Sequence, residues 1–213
     1  MQPKSNSRDR NVLRVVGEVF SQILNVPVLS GLLVTFLYFK LPVDTPQRMQ
    51  GWIWSLVFVS LIPLSSLLFY IPFGNPNHEQ VVRRQRNASF VVMMISYPLG
   101  VWVLHQIHAP SIFRATAVIY SLVTLGLIIF NLLLHYKASG HAAGAAGPVG
   151  VMMYLYGLVA VPLLALLPLV TWARLAAKGH SFWQTVVGAV LSLCISVGVM
   201  WAYGFQPLMG VIH

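Results

Sequence analysis

Six polar residues and one glycine in the apolar second half of the chain have the types and the spacing to do chemistry. In chain order they are Lys137, Ser139, Gly140, His141, Arg174, His180 and Gln184. Histidine and arginine are costly near a bilayer, so they indicate a functional site with a defined partner there. Two imidazoles surrounded by cations suit the binding and transfer of a phosphate group, and a phosphate is therefore the expected partner.

The two histidines divide the expected reaction between them. His180 is the candidate nucleophile, which attacks phosphorus to form a covalent intermediate. His141 is the candidate acid and base, which protonates the leaving alcohol and then activates water. Gln184 lies one helical turn after His180, where its amide can orient the ring but brings no charge. Glu79 and Asp9 are the alternative sources of a carboxylate, and the scheme needs neither a metal ion nor a cofactor.

The other site residues are expected to bind the phosphate itself. They are Arg83, Arg86, Lys137, Ser139, Gly140 and Arg174. Arginine can bind two phosphate oxygens at once, the helix start at Ser139 adds neutral donors, and Gly140 lets the backbone come close. Structural interpretations also stay open, with Ser139 as a helix cap and the two upstream arginines as ordinary charges of a cytoplasmic loop.

The composition indicates a membrane protein. Of the 213 residues, 57% are hydrophobic and only 8% are charged, whereas a soluble domain has about 25% charged residues. The chain is therefore predicted to be an integral membrane protein surrounded by membrane lipids. Lys and Arg outnumber Asp and Glu by 13 to 4. Without a soluble basic face, this excess favours anionic headgroups or a phosphorylated lipid over nucleic acid.

The hydropathy pattern predicts an all-α polytopic membrane helical bundle with six to seven transmembrane passages. Residues 1–18 are expected to form a basic juxtamembrane segment, residues 19–73 two additional transmembrane helices, and residues 74–213 the helical core. The predicted passages are Val19–Phe39 with a kink at Pro27, Gly51–Phe73, Ala88–His105, Phe113–Tyr136, Ser139–Ala160, Pro162–Ala177 and Ser181–Tyr203.

The stretch 139–174 decides whether the two histidines meet. One long helix would put His141 and His180 on opposite sides of the membrane, whereas two passes broken near Val161-Pro162 bring them to the same side. Proline disfavours a straight continuous helix, so two passes are predicted. With that count the N-terminus and all the site loops share one face. The Lys and Arg excess of this face predicts that it is cytoplasmic, in the plasma (inner) membrane.

The pair of motifs resembles the type 2 phosphatidic acid phosphatase superfamily, over roughly Glu79 to Gly188. That family has the motifs Lys-x6-Arg-Pro, Pro-Ser-Gly-His and Ser-Arg-x5-His-x3-Asp. The tripeptide 139–141 matches the second motif, and Arg174-x5-His180 matches the third. The departures are Ala138 and Asn87 in place of prolines, Ala173 in place of serine, Gln184 in place of aspartate and Glu79 in place of lysine. The resemblance implies that family's helical core and phosphate-ester hydrolysis through a phosphohistidine.

Two functions are compatible with these residues. The first is a membrane-embedded lipid phosphatase whose substrate is a phosphatidate-like or polyprenyl phosphate or diphosphate. The second is a catalytically degenerate relative that binds lipid or serves as a structural subunit of a membrane complex. The glutamine at position 184 is the feature that favours the second function.

Overall fold

The described part of the computed structural model contains only helical regular structure. It covers residues 7–40, 46–70, 78–177 and 179–206, without the side chains of residues 7–14, 69–70, 78–79 and 82–83. The α-helices are α1 Ser7–Ile23, α2 Val26–Lys40, α3 Arg48–Ser55, α4 Ile62–Leu64, α5 His78–Gln106, α6 Ser111–Ile128, α7 Gly140–Tyr156, α8 Leu166–Ala176 and α9 Phe182–Ala202. The π-helical segments are Leu56–Leu61 and Ile129–Leu133, and the 3₁₀ segments are Ser65–Tyr70 and Gly157–Ala165.

Six helical stretches among the described residues are long and apolar enough to cross a membrane. They are Val15–Lys40, Arg48–Leu68, Arg84–Gln106, Ser111–Leu133, Gly140–Ala176 and Phe182–Ala202. A spanning helix needs about 20 mostly apolar residues, and each stretch meets that length. The prediction of an all-α polytopic membrane bundle is confirmed, and the chain is an integral membrane protein.

The chain forms two compact units, and neither is continuous in sequence. The first contains the described residues up to Val26, those from Leu127 to Val197, and Gln206. The second contains the described residues of 27–126 and of 198–205. The first unit therefore combines α1 with α7, α8 and most of α9. The predicted division at residues 18 and 73 remains a prediction.

The first predicted passage, Val19–Phe39, is two helices. Helix α1 ends at Ile23 and α2 begins at Val26, where the side chain of Asn25 accepts a hydrogen bond from the backbone N–H of Val26 at 2.8 Å. The break between the helices lies just before Pro27, where a kink was predicted, and the difference has a physical reason. Proline is tolerated in the first turn of a helix, so Pro27 lies inside the start of α2 and the break precedes it.

In the second unit, serine hydroxyls bond to carbonyls of the π segment 56–61. Ser96 donates to the carbonyl of Phe58 at 2.5 Å, and the hydroxyl of Ser30 lies 2.8 Å from the carbonyl of Val59. A π segment disturbs the regular hydrogen bonding of a helix, and within a bilayer its carbonyls need partners from the protein. The serines supply those partners across helices.

Helix α7 and the stretch after it form a hairpin in the first unit. The 17 residues of α7 measure about 25 Å, close to the thickness of the hydrocarbon core. At Gly157 the backbone has φ +53°, a region that glycine adopts readily. The chain then folds back, because α7 packs against both the 3₁₀ segment 157–165 and α8. The turn thus lies at Gly157, slightly before the predicted break at Val161-Pro162.

Candidate anion-binding site

The start of α7 is fixed by Ser139, which is completely buried. Ser139 is the N-cap, with an extended backbone, and its Oγ accepts a hydrogen bond from the N–H of Ala142 at 3.3 Å. The N–H of Ser139 donates in turn to the carbonyl of Gln184 at 2.9 Å. Ser139 therefore caps α7 and joins it to the first turn of α9. Its contribution to phosphate binding remains a prediction.

Gly188 allows α9 to lie directly on the backbone at Ser139. A Cβ atom at position 188 would approach the carbonyl oxygen of Ser139 closer than 3.0 Å, and its carbonyl carbon and nitrogen to 3.2 Å. Side chains can rotate away from such a clash, but backbone held by a helix cap cannot. The glycine is therefore what lets the two helix starts meet.

We expect Gly188→Ala to lower the free energy of unfolding by about 3 kcal/mol, the upper end of the range for overpacking. The measurement is unfolding by a denaturing detergent, followed by circular dichroism. Gly198→Ala is the matched control on the same helix, because a Cβ there meets nothing within 4 Å. Equal stability of the two variants would show that α9 does not rest on Ser139.

The first turn of α9 is closed by a reciprocal pair of hydrogen bonds between Ser181 and Gln184. The N–H of Ser181 donates to Oε1 of Gln184 at 3.0 Å, and the N–H of Gln184 donates to Oγ of Ser181 at 3.4 Å. This is the capping box that Ser-x-x-Gln forms at a helix start. The glutamine therefore has a structural role that its place in the motif did not indicate.

His180 precedes this cap and is half-buried, with Nδ1 fully buried. Burial, followed by the positive charges of Arg174 and Lys137, lowers the pKa of His180 to about 4. Hydrogen bonds of the ring to the backbone of Lys137 and to the side chain of Gln184 partly oppose the shift. Nδ1 has no well-aligned hydrogen-bond partner in the described part of the chain. At neutral pH the ring is uncharged, so one of its nitrogens is unprotonated, as a nucleophile requires.

Arg174, in the last turn of α8, points its guanidinium at the same loop. Nη1 donates to Oγ of Ser21 at 2.8 Å, and Nη2 occupies the space that a Cβ of Gly179 would take. Its Nε is buried and makes no hydrogen bond to the residues that the structure describes. One edge of the guanidinium is thus fixed while Nε remains an unused donor.

Lys137 joins the loop before α7 to the loop before α9. Its Nζ donates to the carbonyl of Gly179 at 3.1 Å, at the surface. The lysine thus adds a second cation beside His180, and its backbone lies against the ring of that histidine. Lys137 and Gly179 are 42 residues apart in the sequence, and the hairpin brings them together in space.

His141, in the first turn of α7, belongs to the same cluster. Its ring lies within electrostatic range of Arg174 and of His180. The first unit therefore brings together His141, Arg174, Lys137 and His180, with Gln184 beside His180. Gly140 has room at its Cβ position, since the nearest atom is Cδ1 of Leu127 at 3.8 Å.

Two predicted phosphate ligands, Arg83 and Arg86, belong to the second unit. Arg86 lies on α5 with an exposed side chain, and the side chain of Arg83 falls outside the described residues. The possible carboxylates at Asp9 and Glu79 also fall outside the described side chains. Participation of these four residues in the site remains a prediction.

The site also contains two residues of α1 that the sequence reasoning missed. Ser21 accepts the hydrogen bond from Arg174, and the carboxylate of Glu18 acts electrostatically on the same guanidinium. A signal was available, because Glu18 is one of only four acidic residues and stands in an apolar stretch. The sequence alone did not show that α1 contacts α8.

We expect Gln184→Glu to raise the pKa of His180 by about 1–3 units, because a carboxylate beside an imidazole favours its charged form. Glutamate also serves in the capping box, so the helix start should be preserved. An NMR titration of the His180 ring measures the effect, with Gln184→Met as the uncharged control. An unchanged titration in a folded Gln184→Glu protein would mean that this side chain points away from the ring.

Comparisons of the chain with protein-family models, with curated proteins and with solved structures give no match. The likeness to the phosphatase superfamily therefore remains a prediction from the motifs. Among the described residues, His, Cys, Asp and Glu form no group of three or more that could hold a metal ion.

Proposed function

We propose that the chain is a membrane-embedded phosphatase that hydrolyses the phosphate monoester or diphosphate of a lipid, phosphatidate-like or polyprenyl, through a phosphohistidine. The observation that carries this proposal is the convergence of two imidazoles and two cations at the open end of the helical hairpin. Positioning and charge stabilisation supply most of the catalysis in phosphoryl transfer, and Arg174 and Lys137 are suited to both.

The reaction divides into two balanced steps. In the first, the neutral ring of His180 attacks phosphorus and a nitrogen–phosphorus bond forms. The bond to the leaving group breaks as His141 donates a proton to it; the leaving group is the alcohol of a monoester or the lipid monophosphate of a diphosphate. A phosphate held beside His141 favours the protonated imidazole that this step needs. In the second step His141 takes a proton from water, the water oxygen bonds to phosphorus, and the bond to His180 breaks to release inorganic phosphate.

Exposed aromatic pairs in the same unit support a lipid substrate. Phe182 and Trp183 begin α9 directly after the site, and Phe20 meets Trp172 edge-on near the end of α8, with ring centroids 6.1 Å apart. Each pair contains a tryptophan, a residue that is enriched where lipid headgroups meet water. A site at the level of the lipid headgroups suits a lipid whose phosphate reaches the site while its tails remain in the bilayer. The plasma (inner) membrane and a cytoplasmic site are part of this proposal.

The second candidate is a lipid-binding or structural subunit of a membrane complex without turnover. The capping box favours it, because Gln184 uses Oε1 to cap α9 and supplies no carboxylate to His180. In the serine-protease triad, replacing the orienting aspartate by asparagine lowers kcat about 10⁴-fold. A site of this kind can keep its affinity for phosphate and lose the reaction.

The two candidates are separated by phosphate release from a panel of phosphatidate and polyprenyl phosphate vesicles, combined with a search for the phosphoenzyme. For the phosphatase we expect release from at least one lipid, together with an alkali-stable, acid-labile phosphate on the peptide that contains His180. Folded protein that binds the lipids but gives neither signal would contradict the phosphatase and favour the subunit.

A further inference from the structure

Helix α1 packs against α8 more closely than ordinary side chains would permit. A Cβ at Gly17 would lie 2.8 Å from Cβ of Ala176 and 3.0 Å from the carbonyl oxygen of Ala173. Small residues let helices come this near. The approach places the next turn of α1 beside the last turn of α8, where Arg174 lies.

Two side chains on that turn of α1 act on Arg174. Ser21 is 3% exposed and lies 2.8 Å from Nη1. Glu18 stands three residues earlier, so the two share a helix face, and its negative charge favours the charged guanidinium. One residue therefore fixes the position of the guanidinium, and the other compensates its charge among Lys137 and the two histidines.

The guanidinium keeps a buried donor for a further partner. Nη1 is occupied by Ser21 and Nη2 lies against Gly179, while Nε is buried without a partner in the described chain. Buried polar groups are nearly always hydrogen-bonded, so this unused donor indicates a missing acceptor. An oxyanion such as phosphate supplies several acceptor oxygens and the opposite charge.

We propose that α1 completes the anion site, with Ser21 and Glu18 as positioning residues that hold the guanidinium of Arg174 so that its Nε edge meets a phosphate oxygen. The inference rests on the anion site of the proposed function but not on turnover. It assigns to the N-terminal helix a role that neither of the two sequence motifs contains. Glu18 also gives the site a carboxylate, which position 184 lacks. This carboxylate interacts with the guanidinium of Arg174 and not with the ring of His180.

The test measures inorganic phosphate binding to the full-length protein in nanodiscs, by calorimetry, for wild type, Ser21→Ala and Glu18→Gln. A hydrogen bond to a charged group is strong, so Ser21→Ala should weaken binding by about tenfold or more. Glu18→Gln should weaken it by about fivefold, since the pair is partly exposed. Ser21→Thr keeps the hydroxyl and should restore binding. Gln22→Ala, on the exposed face of α1, is the matched control and should bind as wild type does.

A second readout follows the Nε–H resonance of Arg174 in protein labelled with ¹⁵N-arginine, assigned by its loss in Arg174→Lys. We expect Ser21→Ala and Glu18→Gln to shift this signal and Gln22→Ala to leave it in place. Phosphate binding equal to wild type in both α1 variants would overturn the inference. If wild type binds no phosphate, the proposed function fails at its anion site. The resonance then decides the inference alone: an unmoved signal overturns it, and a shifted one supports the positioning of Arg174 by α1.

Discussion

Replacing His180 by alanine is expected to reduce phosphate release by about 10³-fold or more, because loss of a covalent nucleophile removes the step on which the other groups act. Alanine also removes the acceptor of the covalent phosphate, so the acid-labile phosphopeptide should disappear with the activity. The measurement is kcat on the best lipid of the panel, together with mass spectrometry of the quenched enzyme.

The pH profile distinguishes this nucleophile from an ordinary surface histidine. An imidazole attacks only when neutral, and the pKa of His180 is lowered to about 4. The acid limb of kcat/KM in the wild type should therefore lie near pH 4, well below the ordinary histidine value of about 6.5. A wild-type profile that falls between pH 7 and pH 6 would argue against His180 as the attacking group.

His105→Ala is the matched control for the loss of a histidine. His105 lies in the last turn of α5 with an exposed side chain, in the unit that does not contain His180. The variant should keep wild-type activity. Persistence of the phosphopeptide in His180→Ala would move the covalent chemistry to another residue, and His141 would be the first to test.

The fold class and the proximity of the two histidines to Arg174 could be predicted from the sequence, because both depend on local signals. Long apolar stretches require helices in a bilayer, since only internal hydrogen bonds can satisfy the backbone there. The N-cap at Ser139 follows from the preference of serine for that position. The spacing from Arg174 to His180 fits one short loop between two helices. The choice of two passes for 139–177 then followed from a single proline.

The parts that the sequence did not predict depend on which helices touch. The turn of the hairpin uses the positive φ of Gly157, but an apolar stretch with several glycines and prolines does not show which residue turns. The contact of α1 with α8 requires Gly17 to meet Ala176 across the unit. No spacing rule connects residues so far apart in the chain, so Ser21 and Glu18 could not be assigned to Arg174 beforehand.

The capping box at Gln184 shows why a motif position can be misread. Compared with a catalytic aspartate, a glutamine at this position lacks the negative charge that would stabilise the histidine. In a Ser-x-x-Gln helix start it is a favourable residue, because its side chain accepts the N–H of Ser181. One side chain thus serves the helix and the histidine together. Gln184→Glu keeps the first role while it restores a charge for the second.

Arg174→Ala is expected to lower kcat/KM by about 10²- to 10³-fold, because truncating one partner of a buried hydrogen-bonded charge pair costs about 2–5 kcal/mol. The guanidinium is the one group of the cluster whose charge acts on both His141 and His180. Arg174→Lys keeps a positive charge but loses the fork that contacts Ser21 and a phosphate oxygen together, so it should recover only part of the loss. Steady-state kinetics on the lipid and calorimetry with inorganic phosphate measure the two effects separately.

Gly179→Ala tests the same group without removing its charge. A Cβ at position 179 would come closer than 3.0 Å to Nη2 and Cζ of Arg174, and a guanidinium at the end of a flexible chain can move away. The variant should therefore fold normally and bind phosphate less tightly, with a loss between those of Arg174→Lys and Arg174→Ala. Lys40→Ala removes an exposed cation at the end of α2 and is the control for net charge. If Gly179→Ala binds phosphate as well as wild type does, the observed guanidinium position is not the one that binds the anion, because displacing it would then have no effect.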